Sequence, residues 1–135
     1  MNKDELFEFS IEWLAAWTGN QPEKLLTFYH EDALYIDPAN KEGLKGHHEI
    51  RKYFEKLLAV YHDWTWEPIE VFPINTGAIV KWKCSIPVAH EIINEIGLDI
   101  VEIKDRLITR NEVYFDRTKL VAAVKKRRNQ RLINL

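Results

Sequence analysis

The sequence predicts an α+β protein in which three N-terminal helices pack on one face of a curved antiparallel sheet. Up to about residue 61, apolar side chains recur at helical spacing, with one short strand between the second and third helices. From residue 64 the pattern changes to a period of two, with turn residues between the apolar runs. Separate runs of helices and strands favour helices packed on a sheet, and a curved sheet closed by helices leaves a conical cavity.

Bulk composition places the chain among ordinary globular proteins. Its 135 residues suit a single domain over 1–135, and 46% of them are hydrophobic and 30% charged. Cys84 is the only cysteine, and no apolar run approaches the roughly 18 residues that span a bilayer. The opening stretch MNKDELFEF lacks the long apolar run of a secretory signal. We therefore expect a cytoplasmic protein without membrane contact.

The first two helices are predicted from periodicity and end signals. Residues 4–17 have an apolar stripe at spacings of three and four, and Gly19 ends this helix. Asn20 is expected to cap a second helix over about 21–30, with Pro22 in its first turn.

A short strand over 33–37 follows and ends in an ionisable side chain, Asp37, directly before Pro38. That carboxylate could begin a turn, or it could be a base aimed into a pocket. Residues 38–46 contain one proline and two glycines and predict a loop, and 47–61 predict the third helix.

Strands fill most of the second half. Residues 64–74 predict a strand in which Pro68 and Pro73 indicate an edge or a bulge, and residues 78–86 alternate between a lysine face and an apolar face. Residues 87–97 could form a loop or a helical turn.

The last strands predict a hairpin over 98–104 and 107–116, and a helical tail over about 118–135 follows. The tail is basic: seven Lys or Arg and no acidic residue follow Asp116, whereas the rest has 12 basic and 21 acidic residues. A solvated helix face that pairs with the acidic body or a partner subunit explains this better than nucleic-acid binding.

Three segments resemble the nuclear transport factor 2-like superfamily, which includes ketosteroid isomerase and SnoaL-like polyketide cyclases. GNQPEKLLTFYHEDALYIDP resembles the second helix and the first strand with its Asp-Pro end. GLKGHHEIRKYFEKLL resembles the third helix, and GLDIVEIKDRLITRNEVYFD resembles the closing hairpin. The likeness covers about residues 5–120 and implies that superfamily's cone-shaped antiparallel sheet around three N-terminal helices.

Ketosteroid isomerase gives the most specific comparison. Its general base ends the first strand before a proline, where this chain has Asp37, and its protonated oxyanion-hole acid is matched by Asp99. The tyrosine of that hole falls near Glu12 or Trp13 here, and its supporting tyrosine on the third helix falls at Phe54 or Tyr53. The resemblance thus implies acid–base chemistry with altered hydroxyl donors.

The alternation of side chains along each strand predicts which further residues face the same pocket. If Asp37 faces the cavity, so does Tyr35 two residues back, and the resemblance selects the Asn111 face of the last strand as inward. The expected pocket binds a small, mainly apolar molecule with one or two oxygens. Its predicted ligand-binding residues are Tyr35, Trp13, Trp17, Phe54, Trp66, Trp82, Asn111, Val113 and Phe115.

Two carboxyl groups inside one apolar cavity point to proton transfer next to a carbonyl group. Desolvation disfavours their ionised forms, and repulsion between the two charges moves their pKa values apart. One group then becomes a base and the other a hydrogen-bond donor. The predicted enzyme is an isomerase, cyclase or dehydratase with Asp37 as general base. Asp99, helped by Asn111 or Tyr35, would stabilise the oxyanion.

Other interpretations stay open from the sequence. Asp37 could only start a turn, and Asp99 could be a strand-edge residue bonded to backbone. The cavity could bind a metabolite without chemistry, or the sheet could be a scaffold for protein contacts.

We expect no metal and no cofactor, because His47-His48-Glu49 has no further ligand at metal spacing and no glycine-rich phosphate loop is present. A homodimer through the outer sheet face is implied by the resemblance alone.

Overall fold

The architecture consists of four helices and a six-stranded sheet. A computed structural model describes the backbone of residues 1–133 and the side chains of residues 1–132. Within that range no helix is both long enough and apolar enough to cross a membrane. The elements are α1 (Lys3–Ala15), α2 (Pro22–Leu26), β1 (Tyr29–Asp37), β2 (Asn40–Lys45), α3 (Gly46–Val60), β3 (Thr65–Ile74), β4 (Gly77–Val88), β5 (Glu91–Lys104), β6 (Leu107–Tyr114) and α4 (Thr118–Ile133).

The sheet is a curved open layer with the strand order β2-β1-β6-β5-β4-β3. Four of its five strand pairs are antiparallel, and β1 runs parallel to β6. Helix α1 packs on β3 and β4, and α3 packs on β1, so the helices cover one face. The predicted α+β fold, with N-terminal helices on a curved sheet and a helical tail, is confirmed.

The helix ends follow local chemistry, with one exception to the prediction. α1 begins with a capping box, in which the Asn2 side chain accepts from the Glu5 backbone N–H and Glu5 accepts from that of Asn2. The predicted cap at Asn20 is wrong, because this residue is left-handed, with φ of 52°. Gln21 precedes α2 instead and forms no side-chain cap, while Pro22 occupies the first turn as predicted.

The second helix is shorter than predicted. α2 ends at Leu26, and the chain is already extended at Tyr29. The Phe28 carbonyl accepts from the Ile108 N–H, and Tyr29 pairs with Ile108 across the parallel β1–β6 junction. Pairing with a distant strand therefore overrides the local helical pattern.

Residues 38–46, predicted as a loop, form the second half of a hairpin. β2 returns antiparallel along β1, with Asp37 opposite Asn40 and Tyr35 opposite Leu44. Two extra residues lie on β2 between these pairs, and Gly43 there has φ of +91°. A bulge of this type needs the conformational freedom of glycine, so the glycine that suggested a loop is part of a strand.

Residues 87–97 are also strand rather than loop or helical turn. β4 and β5 form a long hairpin that turns at Ala89 and His90, with Val88 opposite Glu91. Because the outward-facing side chains of this segment are also apolar, its sequence does not alternate between apolar and polar residues. The strand was therefore not predicted. Pro68 and Pro73 were predicted to indicate an edge or a bulge: β3 is an edge strand of the sheet, and its register with β4 shifts directly after Pro68.

One close approach in β5 positions the interior aromatic rings. Gly97 pairs with Trp82, and a Cβ atom built on Gly97 would lie 2.5 Å from the Trp82 ring and 2.8 Å from the Phe115 Cβ. Only a residue without a side chain leaves room for the Trp82 indole to lie across the β5 backbone. From that position the indole reaches the neighbouring strand residue Asp99.

The predicted tail helix is present and packs on the body. Leu120 and Ala123 of α4 are buried, and the helix contacts β4 and β5. Lys119 lies 4.0 Å from Glu95, an ion pair of the basic tail with the acidic body. Asp116 caps this helix by accepting from the backbone N–H and hydroxyl of Thr118. Residues 134 and 135 of the predicted tail lie outside the described part.

Candidate functional site

A cavity of about 260 Å³ lies between the helices and the covered face of the sheet. Every layer of the fold contributes to it: α1 and α3, the end of β1, the middle of β4 and β5, and the start of α4. Most of its wall is aromatic or aliphatic, and the two carboxyl groups on it are Asp37 and Asp99. This is the composition expected of a small-molecule pocket.

The Asp37 carboxylate is saturated with hydrogen-bond donors. Its Oδ1 atom accepts from the backbone N–H of Ala39 at 2.9 Å, and from the N–H and the side-chain amide of Asn40 at 2.8 and 2.9 Å. Its Oδ2 atom accepts from the hydroxyls of Tyr35 at 2.9 Å and Tyr53 at 2.5 Å. Asp37 thus starts the turn and also lines the cavity, with five hydrogen-bond donors around its two oxygens.

The two tyrosines stay protonated as partners of this carboxylate. Burial raises the pKa of Tyr35 well above its usual value, and the Asp37 charge raises it further. Burial also raises the pKa of Tyr53, with the hydrogen bond to Asp37 as the next cause. Both phenols are therefore neutral donors over the physiological pH range.

Asp99 lies in the middle of β5, in a different environment. It is 2% exposed, and its partners are side chains rather than backbone. Its Oδ1 atom accepts from the Trp82 indole N–H at 2.8 Å, and its Oδ2 atom accepts from the Asn111 amide at 2.9 Å. The interpretation of Asp99 as a strand-edge residue bonded to backbone is therefore wrong.

Burial raises the pKa of Asp99 to about 7. The hydrogen bonds from Asn111 and Trp82 act in the opposite direction, and the negative charge of Asp37 adds to the increase. Around neutral pH Asp99 is therefore partly protonated, and a protonated carboxyl group on the cavity wall can donate a hydrogen bond.

A buried polar chain behind the wall fixes the Asp99 environment. The Asn111 side-chain oxygen accepts from the Tyr29 hydroxyl at 2.8 Å, and that hydroxyl accepts from the Trp13 indole N–H at 3.1 Å. All of these side chains are buried. With its oxygen engaged by Tyr29, the Asn111 amide nitrogen faces Asp99, so the chain sets the orientation of this donor.

One polar atom in the wall has no partner. The indole nitrogen of Trp66 is buried and makes no hydrogen bond in the part of the chain that the structure describes. The ring packs edge-on against Trp64 and Trp82, at centroid distances of 4.9 and 4.7 Å. A buried donor without an acceptor costs about 1–3 kcal/mol, so this packing has a local cost.

The structure brings most of the predicted site residues together. Besides Asp37 and Asp99, the cavity is lined by Tyr35, Trp17, Trp66, Trp82, Val113 and Phe115. The other three predicted ligand-binding residues, Trp13, Phe54 and Asn111, are buried behind the lining. Trp13 and Asn111 belong to the polar chain, and Phe54 packs edge-on against Tyr35 and Trp17.

Several lining residues were not predicted from the sequence. Leu57 and Tyr61 are two of them. They lie one and two turns after Tyr53, which the resemblance named only as the alternative to Phe54 and whose hydroxyl donates to Asp37. This spacing of four is visible in the sequence and could have identified the cavity face of α3. Arg117, at the start of α4, also lines the cavity, and no local pattern indicates that.

No metal site is evident in the residues that the structure describes. No group of three His, Cys, Asp or Glu side chains is placed to hold an ion there. The nearest sequence candidate, His47, instead uses its Nε2 atom in a 2.8 Å hydrogen bond with the Tyr29 carbonyl.

Comparison with known proteins identifies one family and a common fold. Residues 11–111 match the family described as SnoaL-like domain. No curated protein matches the sequence.

Solved structures with the same fold have low sequence identity to this chain, so they show the fold alone. One, with a ketosteroid isomerase-like fold, is from Catenulispora acidiphila DSM 44928 in complex with trimethylamine. It has a TM-score of 0.76 and 17% identity, and the match covers 92% of this chain and 95% of that one. TerC, co-crystallised with polyporic acid, has a TM-score of 0.74 and 16% identity, over 89% and 98% of the two chains. A Shewanella putrefaciens CN-32 protein described as a SnoaL-like polyketide cyclase has a TM-score of 0.73 and 13% identity, over 90% and 86%.

The raised pKa of Asp99 predicts a specific pH dependence of stability. The folded protein holds this proton up to about pH 7, whereas the unfolded chain releases it near 3.8. Between these values the unfolded chain binds fewer protons, so the contribution of Asp99 to the free energy of unfolding falls by about 1.4 kcal/mol per pH unit. Asp99→Asn removes this slope.

Urea unfolding of both proteins from pH 5 to 8 checks this. The free energy of unfolding of Asp99→Asn minus that of the wild type should rise by about 1.4 kcal/mol per unit up to about pH 7, and then level off. Asp32→Asn, an exposed aspartate on β1, is the matched control and should give a nearly constant difference. A constant difference for Asp99→Asn would contradict the raised pKa.

Proposed function

This chain belongs to the SnoaL-like domain family, and we propose that it is a cofactor-free acid–base enzyme. Its substrate would be a small, mainly apolar molecule with a carbonyl group, and its reaction an isomerisation, cyclisation or dehydration that begins with removal of a proton beside that carbonyl. The observation that supports this is the pair of unlike carboxyl groups on one aromatic cavity wall: Asp37 accepts from five donors, and burial raises the pKa of Asp99 to about 7.

The two carboxyl groups suit the two halves of such a step. Asp37 accepts the proton from the carbon next to the carbonyl group, and the electron pair of the broken C–H bond moves onto the carbonyl oxygen. Protonated Asp99 donates a hydrogen bond to that oxygen as it becomes negative. The product then forms when Asp37 returns the proton to another carbon, when the enolate attacks a second carbonyl whose new alkoxide takes that proton, or when a hydroxyl on the next carbon takes it and departs as water.

Base action requires Asp37 to exchange one of its hydrogen bonds. Oδ1 is engaged by the turn at Ala39 and Asn40, which leaves Oδ2 as the reactive atom. The Tyr53 hydroxyl on Oδ2 belongs to a half-buried side chain, whereas Tyr35 is 2% exposed. Tyr53 is thus the donor that can turn towards the ligand, and Tyr35 is the donor that keeps the carboxylate in place.

A non-catalytic binding protein is the second candidate, and one observation favours it. Asp37 has five donors on two oxygens, so every lone pair already has a partner. A carboxylate held in this way can be a rigid turn element that shapes the pocket without transferring a proton. In that case protonated Asp99 would bind a ligand oxygen, and nothing would turn over.

We also propose that the protein forms a homodimer through the outer sheet face. Ile92, Ile96 and Leu98 are exposed on the side of β5 away from the cavity, and Tyr114 of β6 lies opposite Leu98. Ile96, Leu98 and Tyr114 form a small apolar strip beside Lys81 and Lys83 of β4, and exposed apolar surface of this kind is typical of interfaces. A reducing location such as the cytoplasm fits the one thiol of the chain, Cys84, which is buried and free.

Hydrogen–deuterium exchange tests the proposed chemistry without knowledge of the natural substrate. Wild-type protein in deuterated buffer should catalyse exchange of the protons beside the carbonyl group of a bicyclic ketone such as tetralone, followed by proton NMR. Asp37→Asn should lower the rate by about 100-fold or more, because the base is removed. Asp99→Asn should lower it less, since an amide N–H can still donate to the oxyanion.

The matched control is Asp32→Asn, which makes the same chemical change at an exposed site on the same strand. It should catalyse exchange of the ketone protons at the wild-type rate. Tetralone binding by Asp37→Asn, measured by ligand NMR, separates loss of the base from loss of the pocket. Binding without any exchange above buffer in the wild type would leave the binding-protein alternative.

The dimer is tested by light scattering at micromolar concentration. Leu98→Glu should convert a wild-type dimer to a monomer, because each protomer would then bury one negative charge in the apolar strip of the interface. Ile11→Glu, on the exposed side of α1, should leave the dimer intact. A wild-type monomer would refute this part of the proposal.

A further inference from the structure

Arg117 lies where the cavity meets an open groove at its mouth. The mouth groove is lined by Lys41, Asp116, Thr118, Val121, Ala122 and Lys125, and it shares Pro38, Phe115 and Arg117 with the cavity. A molecule that enters the cavity from this side therefore passes the half-buried Arg117 side chain. None of the proposed proton-transfer steps uses it.

The Arg117 guanidinium has no partner in the described part of the chain. It makes no ion pair and no side-chain hydrogen bond with the residues that the structure describes. In contrast, Arg51 pairs with a glutamate at 2.8 Å, Arg106 with one at 3.1 Å and Arg110 with one at 3.2 Å. A half-buried guanidinium with five unused donors is suited to an anion from outside the chain.

Charge around the mouth groove is positive, although the body of the protein is acidic. Lys41, Arg117 and Lys125 line the groove, and Asp116 is the acidic side chain among its lining residues. The Asp116 Oδ1 atom already accepts from the N–H and hydroxyl of Thr118. The mouth thus attracts anions, while Asp37 and Asp99 further inside repel them.

A positive mouth and an interior with two carboxyl groups favour a ligand whose negative end stays at the mouth. We propose that the ligand is an aromatic carboxylate whose carboxylate group pairs with Arg117 there. Its apolar part lies inward among the tryptophan rings, where the proposed chemistry takes place. A planar guanidinium binds a planar carboxylate through two parallel hydrogen bonds, which a lysine cannot do. This inference rests on the proposed ligand cavity and adds the substrate class.

The test compares two probes of nearly the same shape, one charged and one neutral: a fluoronaphthoate and the matching fluoronaphthamide. Fluorine NMR titration gives the dissociation constant of each. The wild type should bind the naphthoate on the order of tenfold more tightly, which is the effect of one charge-assisted contact at a half-exposed site. Arg117→Gln should remove this preference and leave naphthamide binding unchanged, and Arg117→Lys should keep only part of it.

Lys119→Gln is the matched control, because it removes one positive charge from the same helix turn at a site that lines neither the cavity nor the groove. Its preference for the naphthoate should equal that of the wild type. Equal binding of both probes, or a preference that survives Arg117→Gln, would overturn the inference and leave the proposed function standing. If neither probe binds the wild type, the inference falls together with the ligand cavity on which both proposals rest.

Discussion

A carboxyl group held out of water inside the sheet is the feature on which the rest of this site depends. Asp99 is almost fully buried, and its two hydrogen bonds come from an indole and an amide that are themselves buried. Desolvation outweighs these two donors, so its pKa rises to about 7. The packing that achieves this is unusually demanding, since the Trp82 ring reaches Asp99 only because Gly97 has no side chain.

The two carboxyl groups show how environment divides one residue type between two roles. Asp37 ends a strand, where a turn supplies backbone N–H groups and two tyrosines supply hydroxyls, so its anion is stabilised by five donors. Asp99 is in mid-strand, where backbone groups are occupied by the sheet ladder and only side chains can reach it. A carboxyl group surrounded by donors and one with a raised pKa on the same cavity wall follow from these positions.

The sequence predicted the parts of the fold that depend on local periodicity. The third helix, the β3 strand with its proline bulge and the closing hairpin all follow from spacing and turn residues. The β2 strand was missed because Gly43 suggests a loop until its partner strand is known, and α2 was overextended because β6 captures Tyr29. Local patterns cannot show such distant pairings.

The site was predictable to a similar degree. Strand parity and family resemblance placed Asp37, Tyr35 and Asp99 on the cavity, since alternation along a strand fixes which residues share a face. Arg117 follows the last strand, and only the course of the chain into α4 brings it to the mouth. Asn111 was expected to line the cavity, but it lies behind the lining. There its side-chain amide donates a hydrogen bond to Asp99 and accepts one from Tyr29.

The most direct test of a protonated carboxyl group in this cavity is a carbon NMR titration of protein labelled at the aspartate side-chain carboxyls. One resonance should titrate with a midpoint near pH 7, and it should be missing from the spectrum of Asp99→Asn. If every aspartate carboxyl group instead titrates below about pH 5, as in model peptides, Asp99 is ionised at neutral pH and cannot donate to an oxyanion.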